Sequence, residues 1–149
     1  MNSGSPQNKR VAKTRELEKE LEAKQILIAE DETDLLSLFG VYLSSLGLKT
    51  DLVESGDKAL DYFGNSRENG RPYDAILLDT HLANPSGLDV AKKIRSEKPD
   101  QKLVLVTTTP KENLPKDCLR IAGIKDRDIL TIPFTMSKLV TMVKDQLTS

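Results

Sequence analysis

Three short stretches of the sequence place oxygen-bearing side chains directly after apolar runs. Glu30 and Asp31 follow "ILIA", Asp79 ends "AILLD", and Thr107 ends "LVLVT". Carboxylates that cluster without a basic partner repel one another, which raises at least one pKa unless a cation intervenes. A hard divalent ion such as Mg²⁺ prefers oxygen ligands and keeps waters that a phosphate can displace. If the fold brings these residues together, the site is suited to phosphoryl transfer onto a carboxylate.

The elements that would position these residues alternate along the chain from Gln25 onward. Apolar runs of five or six residues are each followed by an amphipathic segment of helical length. The runs are "QILIA", "LKTDLV", "YDAILL", "KLVLVT" and "DILTI". Strands that alternate with helices indicate right-handed crossovers and a parallel sheet covered on both faces. We therefore predict a doubly wound α/β fold with five parallel strands in the flavodoxin-like order 2-1-3-4-5.

In such a sheet, ligands bind beyond the carboxyl ends of the strands, near the point where the strand order reverses. The first and third strands are neighbours in this order, so Glu30, Asp31 and Asp79 reach one edge, beside Thr107 from the fourth strand. Each residue alone has a simpler explanation, because acids favour first helical turns and threonine suits strands. Helix capping does not require all four to meet, which favours a functional site.

The composition argues against several classes of protein. The 149 residues are 38% hydrophobic and 30% charged, as expected for one globular domain. A formal net charge of −1 argues against nucleic-acid binding by the chain as a whole. No apolar stretch approaches the roughly 20 residues of a membrane span, and the N-terminus lacks a signal-peptide core, so we expect a cytoplasmic protein without a membrane partner.

Residues 1–24 differ from the rest of the chain. They are rich in charge, and their large apolar side chains are Val11, Leu17 and Leu21. We expect a charged N-terminal extension over 1–24, helical or disordered, and the folded domain over 25–149. The simplest interpretation is a solvated extension that buries little apolar surface and is dispensable for folding. The alternative is an interaction helix that pairs with another chain in a dimer, although its apolar stripe is broken.

The fourth helical segment has unusual features. "TTTPKENLPKDCLRIAG" contains two prolines, which predicts a short helix that begins near Pro115. Cys118 in this helix, the single cysteine, is expected to be a partly buried apolar residue.

The order and spacing of the motifs resemble the receiver domains of two-component response regulators, from about Gln25 to the C-terminus. "ILIAEDE" is similar to the first strand and acidic pair, which implies Glu30 and Asp31 as Mg²⁺ ligands. "YDAILLDTHLANPSGLDVAKKIR" is similar to the phosphoacceptor strand and loop. It implies Asp79 as the phosphoacceptor and a metal ligand, with the His81 backbone carbonyl as another ligand. "KLVLVTT" resembles the fourth strand, which implies that the Thr107 hydroxyl turns toward the phosphoryl oxygen during switching.

Other loop positions match or depart from the family pattern. Leu82 lies at the usual Met position, and Gly87 lies eight residues after Asp79, as in the family. Ala83 replaces the usual Pro.

The fifth strand departs further. Ile132 in "ILTIPFT" takes the place of a lysine whose ammonium pairs with the acceptor carboxylate and then with the phosphoryl group. Ile129 takes the place of the aromatic that rotates inward when the threonine moves. The residues implied as metal ligands therefore match the family pattern, whereas the fifth-strand residues implied in signalling differ from it. The His81 ring and Lys111 are candidates for a substitute cation.

Two hypotheses follow from the resemblance. The first is a single-domain response regulator in which Asp79 accepts a phosphoryl group, assisted by Mg²⁺, from a sensor histidine kinase or phosphotransfer protein. A downstream effector protein would carry the output, because the sequence carries no output-domain motif. The second is a phosphorylation-independent pseudo-receiver that acts as a protein-interaction module. The first is favoured because a site released from phosphoryl chemistry has no reason to retain both the carboxylates and Thr107.

Enzymatic activity beyond self-catalysed phosphorylation and dephosphorylation is not expected. A phosphohydrolase of the haloacid-dehalogenase type also uses a strand-end aspartate. It requires a second aspartate two residues later, where this chain has His81. This third hypothesis is therefore disfavoured.

Overall fold

The computed structural model of the protein describes residues 21–148, in which strands and helices alternate. The strands are β1 (Gln25–Ala29), β2 (Lys49–Val53), β3 (Ala75–Asp79), β4 (Leu103–Thr107) and β5 (Ile129–Thr131). The helices that follow them are α1 (Thr33–Ser44), α2 (Gly56–Glu68), α3 (Gly87–Glu97), α4 (Lys116–Ala122) and α5 (Met136–Thr148). Short 3₁₀ turns at Lys111–Asn113 and Asp126–Asp128 flank α4.

All neighbouring strands pair in parallel, and their order is β2-β1-β3-β4-β5. The predicted fold class and strand order are therefore confirmed. The register aligns Asp79 with Val106 and Thr107 with Thr131, so the carboxyl ends of β3, β4 and β5 lie at one edge. The strand order reverses between β1 and β3, which puts the ends of these two strands side by side at the same edge.

The pleat of the strands divides the core into two layers. One layer packs the sheet against α2, α3 and α4, and the other packs it against α1 and α5. We call them the α2–α4 layer and the α1/α5 layer. Leu78 and Leu105 face the α2–α4 layer, whereas Leu77 faces the α1/α5 layer. Because side chains alternate along a strand, Thr107 shares the face of Leu105, and Asp79 shares the opposite face with Leu77.

Helix α4 is short, as its prolines predict. It spans seven residues, begins at Lys116 immediately after the capping residue Pro115, and ends at Ala122. Gly123 caps its C-terminus with a left-handed φ of 67°. Cys118 is half-buried as predicted, and its thiol lies 3.8 Å from the Lys92 ammonium of α3. None of the helices in residues 21–148 has the length and apolar character that crossing a bilayer requires.

Leu21 belongs to the core. It is 1% exposed and lies in the α1/α5 layer. The chain after it is also anchored, since the Ala23 amide donates to the Gly47 carbonyl and the Lys24 ammonium donates to the Leu147 carbonyl. The expectation that residues 1–24 bury little apolar surface is therefore wrong at Leu21. Residues 1–20 lie outside the described residues, and a domain boundary after residue 24 stays a proposal.

This anchoring changes the expected effect of truncation. Removal of residues 1–20 should leave the melting temperature nearly unchanged, since that part of the sequence has few large apolar side chains. Leu21→Ala should lower the free energy of unfolding by about 2–4 kcal/mol, because it leaves a cavity in a packed layer. Differential scanning calorimetry measures both effects, with Leu38→Ala on the exposed face of α1 as the matched control. Conversion of an oligomer to a monomer on removal of residues 1–20 would instead support the dimer interpretation.

Candidate functional site

Three carboxylates meet at the edge formed by the ends of β1 and β3. Glu30 and Asp31 directly follow β1, and Asp79 is the last residue of β3. One carboxylate oxygen from each lies within 4.8 Å of the others. Glu30 is 2% exposed and Asp79 is 6% exposed, whereas Asp31 is open to solvent. The structure thus brings together the three acids selected from the sequence, with a solvent-facing side from which a ligand can approach.

The electrostatics of this edge are dominated by the acids. Burial, a hydrogen bond with Asp79 and repulsion from its charge raise the pKa of Glu30 to about 9. None of the ion pairs formed within residues 21–148 involves these acids. A cation at the edge would relieve this repulsion.

Glu32, the third acid of "EDE", has a different role. Its carboxylate caps α1 by accepting the Leu35 amide at 3.1 Å. The simpler capping interpretation therefore holds for Glu32.

Two glycines let the loop after β3 pack closely. A Cβ at Gly87 would lie 2.0 Å from the Asp79 carbonyl oxygen, so only glycine lets α3 start against the end of β3. A Cβ at Gly56 would lie 2.0 Å from the Pro85 carbonyl oxygen, and the Gly56 amide donates to the Ala83 carbonyl at 3.1 Å. The start of α2 and the loop thus fit together without room for a side chain. The His81 amide donates to Asp79 Oδ1 at 3.0 Å, which fixes the orientation of that carboxylate.

Thr107 lies at the end of β4, next to this edge, and is completely buried. Its hydroxyl accepts a hydrogen bond of 2.8 Å from the Thr80 hydroxyl and one of 3.0 Å from the Thr109 amide. Sequence analysis missed Thr80. The signal was a hydroxyl residue directly after Asp79, but pairing with Thr107 depends on the register of two strands that are distant in sequence.

Neither candidate for a substitute cation is directed to the acids. The His81 ring shares a hydrogen bond of 2.8 Å between Nε2 and the Thr108 hydroxyl. The Lys111 ammonium donates to the Asp126 carbonyl at 3.1 Å, on the turn after α4. In this structure, both side chains are engaged with the loops around β4 and β5.

The two isoleucines of the fifth-strand motif belong to different layers. Ile132 is half-buried and packs against the α1/α5 layer, which is the face that Asp79 shares. Its amide donates to the Thr107 carbonyl at 2.7 Å. Ile129 is 2% exposed in the α2–α4 layer, paired with Leu105 in the register of β4 and β5. Apolar side chains therefore stand at both positions where the resemblance implies a lysine and an aromatic.

Comparisons with known proteins agree with this geometry. Residues 26–144 match the family model described as "Response regulator receiver domain". The chain belongs to the response regulator receiver family. Receiver domains are signalling domains that bind Mg²⁺ at an acidic pocket, and the Glu30, Asp31 and Asp79 oxygens form a group of that kind here.

Matches to individual relatives cover most of this chain. Two-component response regulator 24 of Arabidopsis thaliana is 30% identical over 117 residues, 78% of this chain and 79% of the relative. The transcriptional regulatory protein DltR of Streptococcus agalactiae is 26% identical over 120 residues, which cover 80% of this chain but only 50% of DltR. The chain thus spans about half the length of that relative.

Solved structures show the same fold. A receiver protein from Sinorhizobium medicae is 30% identical with a TM-score of 0.71, covering 87% of this chain and 98% of its own. The response regulator TrrA of Thermotoga maritima, solved in complex with Mg²⁺ and BeF, is 29% identical with a TM-score of 0.69, covering 83% and 98%.

The carboxylate group predicts a Mg²⁺ site whose affinity depends on charge and pH. Asp31→Asn should weaken Mg²⁺ binding at least tenfold, because it removes a charged ligand from a three-carboxylate site. The exposed control Asp34→Asn, in the first turn of α1, should bind like the wild type. Calorimetric titration measures both, and equal binding by Asp31→Asn would reject the site.

The same titration has an expected pH dependence. Glu30 is protonated below its raised pKa of about 9, so a metal that it ligates must displace that proton. Mg²⁺ affinity should therefore rise as the pH rises toward 9, by up to about tenfold per pH unit. Titrations in buffers with different ionisation enthalpies count the released proton.

Proposed function

We propose that the protein is a response regulator receiver that accepts a phosphoryl group on Asp79 with the assistance of Mg²⁺. The observation that carries this proposal is the convergence of the Glu30, Asp31 and Asp79 oxygens within 4.8 Å at the edge between β1 and β3. Mg²⁺ bound there would neutralise the phosphoryl charge and align the phosphorus with the attacking carboxylate. The ligands would be these three carboxylates and the His81 backbone carbonyl.

Each residue then has a defined task in the transfer. An Asp79 carboxylate oxygen attacks the phosphorus, and the bond from phosphorus to the donor breaks as the acyl phosphate forms. When the donor is a phosphohistidine, the leaving imidazole keeps the bonding electrons and takes up a proton. The His81 amide holds Asp79 Oδ1 during this step. The Thr107 hydroxyl donates to a phosphoryl oxygen after transfer.

The proposed partners follow from this chemistry. A sensor histidine kinase or a phosphotransfer protein supplies the phosphoryl group, and a downstream effector protein reads the phosphorylated state. Relatives of the response regulator class support such partners in general terms. The absence of a direct nucleic-acid partner remains part of the proposal, supported by the formal net charge of −1. A cytoplasmic location and the absence of a membrane partner also remain part of the proposal.

One observation favours the alternative, a phosphorylation-independent pseudo-receiver. Ile129 packs in the core and Ile132 packs against it. These positions therefore offer neither an ammonium to contact the phosphoryl group nor an aromatic ring to rotate inward. The experiment that separates the two functions is intact-protein mass spectrometry after incubation with acetyl phosphate and Mg²⁺. Acquisition of a phosphoryl group at Asp79 supports the regulator, and its absence even with candidate kinases supports the pseudo-receiver.

A further inference from the structure

The hydroxyl of Thr107 has no acceptor capacity left in this structure. A threonine hydroxyl has one proton to donate and two lone pairs that accept. The Thr80 hydroxyl and the Thr109 amide occupy both lone pairs, at 2.8 Å and 3.0 Å. Because Thr107 is 0% exposed, water does not compete for these positions. The Thr80 and Thr109 contacts therefore define the orientation of the hydroxyl.

These contacts hold the hydroxyl on the face of the sheet opposite Asp79. Thr107 lies two residues after Leu105 in β4, so by the pleat it shares the face of the α2–α4 layer. Thr80, just beyond the end of β3, donates to the Thr107 hydroxyl there. Asp79 lies two residues after Leu77 in β3 and therefore shares its face, which is that of the α1/α5 layer. A Thr107 hydroxyl that donates to a phosphoryl group on Asp79 must therefore leave its partner at Thr80.

We propose that Thr80 is a positioning residue that retains the Thr107 hydroxyl on the α2–α4 face and so opposes its engagement with the phosphoryl group. This inference rests on the proposed function of Asp79 and concerns the response of the site rather than the transfer step. Leaving Thr80 breaks a part-buried hydrogen bond whose acceptor, the Thr107 hydroxyl, is itself fully buried, and breaking such a bond carries a free-energy cost. The phosphoryl group favours the state in which Thr107 has left Thr80 only by its excess affinity for that state.

Because the fifth-strand lysine is absent, the hydrogen bond between Thr80 and Thr107 has a larger effect on the position of the Thr107 hydroxyl. An ammonium at position 132 would add a charge-assisted contact to the phosphoryl group in the engaged state. Ile132 adds none, so the Thr80 bond is opposed mainly by the new Thr107 contact. The bond between Thr80 and Thr107 is accordingly expected to determine how readily the Thr107 hydroxyl engages the phosphoryl group.

The neighbouring hydroxyl provides a matched control. Thr108 pairs with the His81 ring at 2.8 Å, one residue along from the pair of Thr80 and Thr107. Thr108→Val also removes one hydroxyl between the ends of β3 and β4, but it leaves the Thr107 contacts in place. A general loosening of this edge would affect both variants, whereas the proposed role affects only Thr80.

The test uses beryllofluoride with Mg²⁺ as the phosphoryl analogue, titrated into the 149-residue protein. Thr80→Val keeps the side-chain shape without the hydroxyl and should bind beryllofluoride about fivefold more tightly, the equivalent of one released hydrogen bond. Thr80→Ser, which keeps the hydroxyl, and Thr108→Val should bind like the wild type. In a Thr107→Val background, the Thr80→Val gain should disappear, because the two residues act as a coupled pair.

The outcomes are distinct. An unchanged affinity in Thr80→Val, or a gain that persists without the Thr107 hydroxyl, would overturn the role of Thr80 while leaving phosphorylation of Asp79 intact. If the wild type neither binds beryllofluoride nor gains a phosphoryl group, the proposed function fails, and the role of Thr80 fails with it. Thr80→Ala serves as a second hydroxyl-free variant should Thr80→Val lower the melting temperature enough to disturb folding.

Discussion

Incubation with acetyl phosphate and Mg²⁺ is expected to add one phosphoryl group to the protein and none to the Asp79→Asn variant. The Asp79 carboxylate is held at a buried edge by the His81 amide and lies beside the Glu30 and Asp31 oxygens. A small phosphodonor needs a nucleophile in line and a cation to neutralise charge, and this edge provides the nucleophile and ligands for that cation. An asparagine of nearly the same shape lacks the attacking carboxylate, so we expect complete loss. Intact-protein mass spectrometry measures the added mass.

The controls separate Asp79 from other carboxylates. Asp61→Asn removes an exposed acid on α2 and should be phosphorylated as fully as the wild type. Omission of Mg²⁺ should reduce the acquired mass strongly, since the acids would repel the donor without the cation. Phosphorylation of Asp79→Asn would place the acceptor elsewhere. A wild type that stays unmodified with acetyl phosphate and with candidate kinases would favour the pseudo-receiver.

Much of this fold follows from sequence periodicity alone. Short apolar runs such as Ala75–Asp79 are buried on both faces, which is what a central parallel strand requires. Alternation with helices fixed the class, and the strand order then placed Glu30, Asp31 and Asp79 at one edge. The acids could be predicted because strand ends in a parallel sheet converge, whatever the details of side-chain packing.

The contacts that the sequence did not reveal depend on those details. Leu21 lies in a charged stretch whose broken stripe gives no indication that one leucine packs into the α1/α5 layer. The bond between Thr80 and Thr107 needs the register of β3 and β4, together with a particular rotamer of each side chain. Lys111 was a candidate cation by sequence distance, but its ammonium donates to the Asp126 carbonyl because the turn after α4 folds back beside it.

Replacement of Ile132 by lysine should strengthen the response of the site to a phosphoryl analogue. Ile132 packs on the α1/α5 face, the face that Asp79 shares, and its backbone is held by the Thr107 carbonyl. A lysine stem can follow the same apolar surface while its ammonium extends toward the acidic edge. A hydrogen bond from a charged group contributes about 1.5–3 kcal/mol, so beryllofluoride with Mg²⁺ should bind roughly ten- to a hundredfold more tightly.

The isosteric comparison for this variant is Ile132→Met, which supplies a long unbranched side chain without charge. It should bind beryllofluoride like the wild type, so any gain unique to lysine reports the ammonium. Hydrogen exchange in β4 and the loop after it should also change more on binding in Ile132→Lys, because the added contact favours the state in which Thr107 has left Thr80. If the lysine and methionine variants behave alike, the ammonium does not reach the phosphoryl group. The response of the site would then be limited by the Thr80 bond and by the buried Ile129, rather than by the charge missing at position 132.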